Sequence, residues 1–394
     1  MAAHLEGQTS SRDRVSLEDW TSTRRPYLDN LKVALITAII VIHAVLGYST
    51  LEAWTYTELR EVTLAPVTEI VLLVLLSPFA FFLIALLFLV AGLLTAPSLE
   101  RKGTARFVRD RLLRLGVPFG LYVLLVQPAL AYALRHPLGS APGSFWAEYL
   151  AAGRLDTGPL WFVGVLLIFS LGYAGWAGRR RGHGHGQGHR RITLRTLLLA
   201  TGVVAPASFA IRLIYPYGSE SGVTDLNFWE WPVCITAFAV GVAASGQGWL
   251  TAVPEQLAGR CRTLTLAGVV AMAALLATVS AGRPVDEVLG GWHWPAAVFA
   301  VVDAVLTVFG SVWLLSVAQH RLNRPYRWGQ RLSRSAYGAF MLQTLFLLGL
   351  ALALRPLDLP AEAKALIVAL GAVTGSYLAA WFLISRAPGV AKVL

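Results

Sequence analysis

Charge is what this sequence has least of. Asp, Glu, Lys and Arg make up 14% of its 394 residues, against 56% hydrophobic. An ordinary soluble domain carries about 25% charged residues. That shortage, with a mean hydropathy of +0.60, excludes a soluble globular chain and points to an integral membrane protein. Cysteine is scarce too. Of the two, Cys234 falls in an apolar segment near one face and Cys261 in a basic loop on the other, which speaks against a disulfide. There is no glycine-rich phosphate cradle, no zinc-spaced cluster and no Gly-x-Ser-x-Gly elbow, and no metal is expected. The first 26 residues lack an apolar run with a small-residue cleavage site. No removable signal peptide is therefore expected, and the first apolar helix would act as an uncleaved membrane signal. No internal repeat is visible.

What the sequence does have is long apolar runs. Windows of about 20 apolar residues read as spanning helices. Ten occur, at 33–51, 68–95, 116–134, 159–177, 194–214, 230–247, 263–281, 295–318, 335–354 and 364–384. The expected fold is all-α: a polar tail at 1–26, then one ten-helix domain over 27–388. The net charge of +11 comes from basic residues that cluster in alternate loops, which is a topology signal and not a nucleic-acid patch. Arg101, Lys102, Arg106, Arg109, Arg111 and Arg114 follow the second run, and Arg179, Arg180, Arg181, Arg190 and Arg191 the fourth. Arg260 and Arg262 follow the sixth, and Arg321, Arg324, Arg327, Arg331 and Arg334 the eighth. The intervening loops carry Glu52, Glu58 and Glu61, Glu220 and Asp225, Asp286 and Glu287, and Asp358 and Glu362. By the positive-inside rule both termini are cytoplasmic. Trp229, Trp231, Trp292 and Trp294 mark the outer interface. Arginine far outnumbers lysine and alanine and glycine are abundant, which fits a GC-rich bacterial genome.

The first apolar run holds His43 about half way along, among Val, Ile, Ala and Leu. It lies roughly 16 Å beyond Lys32 along a helix. Eleven steps of 100° are nearly three whole turns, so Lys32, Ile36 and His43 share a face. Ionisable groups at such depth face a cavity or a partner. Glu69, Asp303 and Arg212 are the other intramembrane charges: either acid could orient His43, while Arg212 could simply snorkel. The histidine-rich stretch 183–189 reads as a solvated loop, since nothing there enforces a coordination geometry.

Three stretches together resemble the acyltransferase-3 family of integral membrane acyltransferases. The first is Tyr27-Leu28-Asp29-Asn30-Leu31-Lys32 with His43 after ten further residues, like the family's Leu-Asp-x-Leu-Arg and following His. The second runs from Phe81-Phe82 through Ala91-Gly92 to the arginine-rich segment 107–118, which contains Arg111-Leu112-Leu113-Arg114. The third is Gly158-Pro159-Leu160-Trp161-Phe162. Segment 238–241 with Gly246 and Trp249, and Ser335-Ala336-Tyr337-Gly338, are weaker echoes. There are two departures. Lysine stands at position 32 where the family has arginine, keeping the charge but losing the planar fork. Gln343 stands where the family often has a histidine, so a group that cannot titrate occupies that place.

The resemblance implies a multi-pass O-acyltransferase of the bacterial inner or plasma membrane. Its donor would be an acyl-coenzyme A, acetyl-coenzyme A first, and its acceptor a carbohydrate or glycoside. His43 would be the general base, with a pKa suited to the task, and Lys32 and Asp29 would accompany it. Lys32, Arg111 and Arg114 would meet the phosphates of coenzyme A. Trp161, Glu69 and Gln343 would contact substrate. The bland readings stand beside these: a structural histidine between helices, a snorkelling lysine, headgroup arginines and an interfacial tryptophan. A transporter or flippase for a lipid-linked sugar or small anion would also want a buried histidine and a basic mouth, although repeats and paired broken helices are absent from view. A non-catalytic membrane partner is a third reading, on the strength of Gln343.

Overall fold

The computed structural model describes residues 25–50, 60–135, 153, 155–181, 191–219 and 225–386. Most of the polar tail, Glu52, Glu58, the histidine-rich stretch 183–189, Arg190 and Glu220 lie outside the described residues. Among those described, ten helices are long and apolar enough to cross a membrane, one for each expected run. They are α1 (Pro26–Leu46), α2 (Pro66–Lys102), α3 (Thr104–Tyr132), α4 (Gly158–Arg179) and α5 (Leu194–Arg212), then α6 (Phe228–Ser245), α7 (Glu255–Ser280), α8 (Trp294–Arg321), α9 (Gly329–Leu354) and α10 (Ala361–Arg386).

The helices differ from the expected runs chiefly at their arginine-rich ends, where they run on. The first begins at 26 instead of 33, the second ends at 102 instead of 95, and the third begins at 104 instead of 116. The seventh begins at 255 instead of 263 and the ninth at 329 instead of 335. Hydropathy falls where arginine enters, but arginine, leucine and alanine remain good helix formers, so the helix outlasts the apolar signal. At 37 residues α2 is about 55 Å long, well beyond a hydrocarbon core of about 30 Å. Its overhang is not wasted. Leu99, Phe107 and Ala174 form a small buried cluster that ties the ends of α2, α3 and α4 together. The arginines of 107–118, expected at the entry of the third helix and mostly ahead of its apolar run, therefore stand on α3 itself.

The shift at α1 changes the depth of His43. Pro26 opens the helix behind an extended Arg25, and Gly47 N–H closes it on His43 O, as suits proline at the first helical position. His43 thus sits in the last turn of α1 instead of half way along the span. The chain beyond it stays inside the protein, with Tyr48 and Ser49 buried.

α1 packs against α9 and α10, and α2 lies along α6. The α2–α6 contact is very close. A Cβ on Gly92 would stand 2.2 Å from Phe238 O, and one on Gly241 2.2 Å from Leu89 O. Small residues let backbones approach where lipid offers no hydrophobic drive between helices. Outward faces are apolar: Val203 and Val270 are each 69% exposed, which suits lipid contact.

Candidate active site

The start of α1 is a clasp. Tyr27 Oη donates to Leu250 O at 2.6 Å, and Asn30 Nδ2 donates to Leu322 O at 2.7 Å and Arg324 O at 2.8 Å. Asp29 Oδ1 accepts from Ser333 Oγ at 2.6 Å. One helical turn thus gathers the loop after α6, the loop after α8 and the start of α9. Asp29, expected as an accompaniment to His43, is engaged at the opposite end of the helix from it.

Lys32 follows on that helix, and its charged neighbours are Asp29 and Arg114. Arg114 reaches this place because Tyr337 Oη donates to Arg114 O at 3.0 Å, which joins the Ser-Ala-Tyr-Gly stretch of α9 to the arginine stretch of α3. Arg111 is half-buried. Its Nη2 donates to Thr95 Oγ1 at 3.3 Å, its guanidinium lies 5.1 Å from the Phe107 ring, and Arg114 and Asp110 are its charged neighbours. Thr95 Oγ1 in turn donates to Ala91 O. Just here α3 takes up i→i+5 bonding over Leu112–Gly116 and again over Tyr122–Val126, a distortion common at functional sites. Arg114 is thus a charged neighbour of both Lys32 on α1 and Arg111 on α3.

His43, above them on α1, meets Gln343 of α9. His43 Nδ1 lies 3.0 Å from Gln343 Oε1. A carbonyl oxygen accepts, so Nδ1 carries the proton and Nε2 keeps the lone pair. Gln343 is wholly buried, and its Nε2 has no hydrogen-bond partner among the described residues. Gln343, at about the place where the family often has a histidine, thus contacts His43.

Next to Gln343 on α9, Thr344 begins a buried polar ladder. Tyr122 Oη lies 3.1 Å from Thr344 Oγ1 and 3.0 Å from Gln127 Oε1. Gln127 Nε2 donates to Asp156 Oδ2, whose other oxygen accepts from Gly158 N at 2.7 Å. Gly158 has φ +47°, and a Cβ there would sit 3.1 Å from Tyr122 Oη. Glycine is needed both for the left-handed backbone and for the ladder's space. Trp161, one turn on, is buried. With the Asn227 amide oxygen turned toward it, Trp161 Nε1 donates to Asn227 Oδ1 at 3.1 Å while Asn227 Nδ2 donates to Asp225 Oδ1 at 3.2 Å. Sequence reading missed Tyr122, Gln127, Thr344 and Asn227. The available signal was weak: Gln127 is an amide inside an apolar run.

Neither intramembrane acid hydrogen-bonds His43. Glu69 Oε1 accepts from Ser49 Oγ at 2.5 Å, Thr50 N at 2.7 Å and Thr50 Oγ1 at 2.8 Å, so it holds the chain leaving α1 against the first turn of α2. Asp303 Oδ2 pairs with Arg212 Nη2 at 2.5 Å, and both side chains are essentially inaccessible. Arg212 therefore does not snorkel. Its guanidinium lies between Tyr217 and Phe299, 5.0 and 4.8 Å from their ring centroids. Burial, and then Glu230 and Asp303, push the Tyr217 phenol well above its ordinary value, so it stays protonated. Among the described residues no group of three His, Cys, Asp or Glu is placed to hold a metal.

A family model described as an acyltransferase domain, that of the acyltransferase-3 family, matches residues 25–385. No curated protein and no solved structure matches the chain. The matched segment begins one residue before α1 and ends one residue before the close of α10, and the motifs that converge on Lys32 and His43 all lie within it. The chain belongs to the acyltransferase-3 family and is a membrane-embedded acyltransferase.

Proposed function

We propose that this enzyme moves an acyl group, acetyl in the first instance, from acyl-coenzyme A to a hydroxyl of a carbohydrate or glycosylated acceptor, in a bacterial inner membrane. The observation that carries the reading is one helix bearing both ends of the reaction: a cation in the Lys32, Arg111 and Arg114 patch, and His43 roughly 16 Å further along α1. Coenzyme A phosphates fit the patch, where arginine supplies paired donors. The pantetheine arm then extends along α1 toward the imidazole.

His43 Nε2 acts as the base. As the acceptor oxygen bonds to the thioester carbonyl carbon, its proton passes to Nε2. The C–S bond then breaks, and the imidazolium returns that proton to the departing thiolate, leaving an ester and free coenzyme A thiol. Gln343 Oε1 holds the imidazole in the tautomer this needs. Gln343 Nε2, buried without a partner among the described residues, donates to the carbonyl oxygen as charge develops there. Trp161, with the polar ladder behind it, shapes the acceptor's approach. Glu69 acts through the loop it holds. Direct transfer in a ternary complex suits a site where orientation in a dry cleft supplies much of the rate.

The test is coenzyme A release from acetyl-coenzyme A by purified protein in nanodiscs, with and without a mixed glycan extract, beside His43→Ala checked by size exclusion. Acceptor-dependent release that collapses in the variant is expected. Equal release in both proteins would remove His43 from the mechanism. No release with any donor or acceptor pool, together with substrate uptake into vesicles, would favour the transporter.

A further inference from the structure

On the arginine-rich side, α7 and α8 enclose a groove of about 270 Å³. Its charged lining is Arg262 from α7 with His320 and Arg321 from α8, and its apolar lining includes Trp313 and Val317. Among the described residues no carboxylate lines it. Neither arginine makes an ion pair among the described residues, whereas Lys102, Arg212, Arg283 and Lys364 all do. His320 Nδ1 donates to Ser316 O at 2.7 Å, which fixes the ring.

The two helices repeat one pattern. On α7, Arg262, Leu266 and Val270 follow one another at intervals of four, so they share a face. Leu266 is 50% exposed and Val270 69%, so an apolar stripe open to the outside runs inward from the arginine. On α8, Arg321, Val317 and Trp313 are spaced in the same way, with the arginine again at the outer end. Arg262 lies roughly 10 Å from the start of α7. That helix has 26 residues, about 39 Å, so its first turns rise beyond a hydrocarbon core of about 30 Å. The guanidiniums thus stand at headgroup depth and the apolar stripes at acyl-chain depth.

We propose that this groove binds an anionic glycerophospholipid, with its phosphate between Arg262 and Arg321 and its acyl chains along Leu266, Val270 and Val317. Unpaired guanidiniums favour a phosphate oxyanion, and basic pockets between helices on this side suit anionic headgroups. The stripe beneath each arginine selects a lipid over a free phosphate, which would leave the apolar lining unused.

The test exchanges the protein into nanodiscs of equal phosphatidylglycerol and phosphatidylcholine, re-extracts it in mild detergent and counts retained lipid by native mass spectrometry. Arg262→Gln, Arg321→Gln and the double variant run in parallel. Wild type is expected to keep phosphatidylglycerol in preference to phosphatidylcholine, with a loss of roughly fivefold per arginine removed and no displacement by millimolar glycerol 3-phosphate. Retention in proportion to the surrounding mixture, or enrichment that survives the double variant, would overturn the site. Displacement by glycerol 3-phosphate would overturn the lipid in favour of a soluble phosphate ligand. The single variants keep the test decisive if the double variant fails to elute as a monodisperse peak.

Discussion

His43 and Gln343 are 300 residues apart in sequence and 3.0 Å apart in space. That contact makes a glutamine that cannot titrate useful to a histidine that can, since a fixed acceptor at Nδ1 assigns the lone pair to Nε2. If this is its role, Gln343→Leu lowers kcat by roughly 10- to 100-fold, on the scale of removing an orienting partner or one preorganised donor. KM for the donor should scarcely move. His43→Ala should cost ~10²–10⁴ in kcat. Steady-state kinetics separates the two, and a loss confined to KM in Gln343→Leu would assign the residue to binding instead.

The cationic patch makes the opposite prediction. Arg111→Gln and Arg114→Gln should each raise KM for acyl-coenzyme A by roughly tenfold or more, as expected for a lost bond to a charged group. Their kcat should stay near wild type. Lys32→Arg, which supplies the fork that lysine lacks, should lower that KM. Donor titrations at two salt concentrations check this, because a phosphate contact weakens with ionic strength.

Gly92 and Gly241 set the α2–α6 distance. Gly92→Ala or Gly241→Ala places a methyl group 2.2 Å from a backbone oxygen, so the helices must part, at a cost of about 1–3 kcal/mol. Gly349→Ala is the control. A Cβ there meets nothing within 4 Å, and a helical glycine is about 1 kcal/mol less favourable than alanine. Thermal unfolding in detergent should rank Gly349→Ala at or above wild type, and both interface variants below it.

Arg212 and Asp303 form a pair with no access to water, yet Arg212 Nε and Nη1 and Asp303 Oδ1 have no hydrogen-bond partner among the described residues. Breaking such a pair from one side is costly. Asp303→Leu should destabilise by ~3–5 kcal/mol by stranding the guanidinium, and adding Arg212→Met should recover most of that. A double-mutant cycle on unfolding midpoints reads the coupling, and additive losses would mean the two charges do not depend on each other.

The membrane architecture was legible in the sequence, because lipid imposes one-dimensional rules. An apolar run of fixed length and an arginine-rich loop on every second connection are written locally, so all ten spans could be placed from 33–51 onward. The ends could not. Hydropathy stops at the first arginine, whereas helix propensity and packing such as that of Phe107 on Leu99 and Ala174 carry the helix further. At α1 the helix also stops at Leu46, short of the apolar run's end at 51, and that puts His43 in its last turn.

For the site, the sequence by itself determined which residue types were present and which shared a face of one helix: Lys32 and His43 on α1. Only the tertiary structure decided who met whom. It brought Arg114 to Lys32 through Tyr337, gave His43 the amide of Gln343 and not Glu69 or Asp303, and paired Asp303 with Arg212 instead. Periodicity relates residues within a helix by a known angle and rise. The rotation and depth of one helix against another follow from close contacts such as Gly92 against Phe238 and from bonds such as Asn30 to Leu322, and no local pattern encodes these.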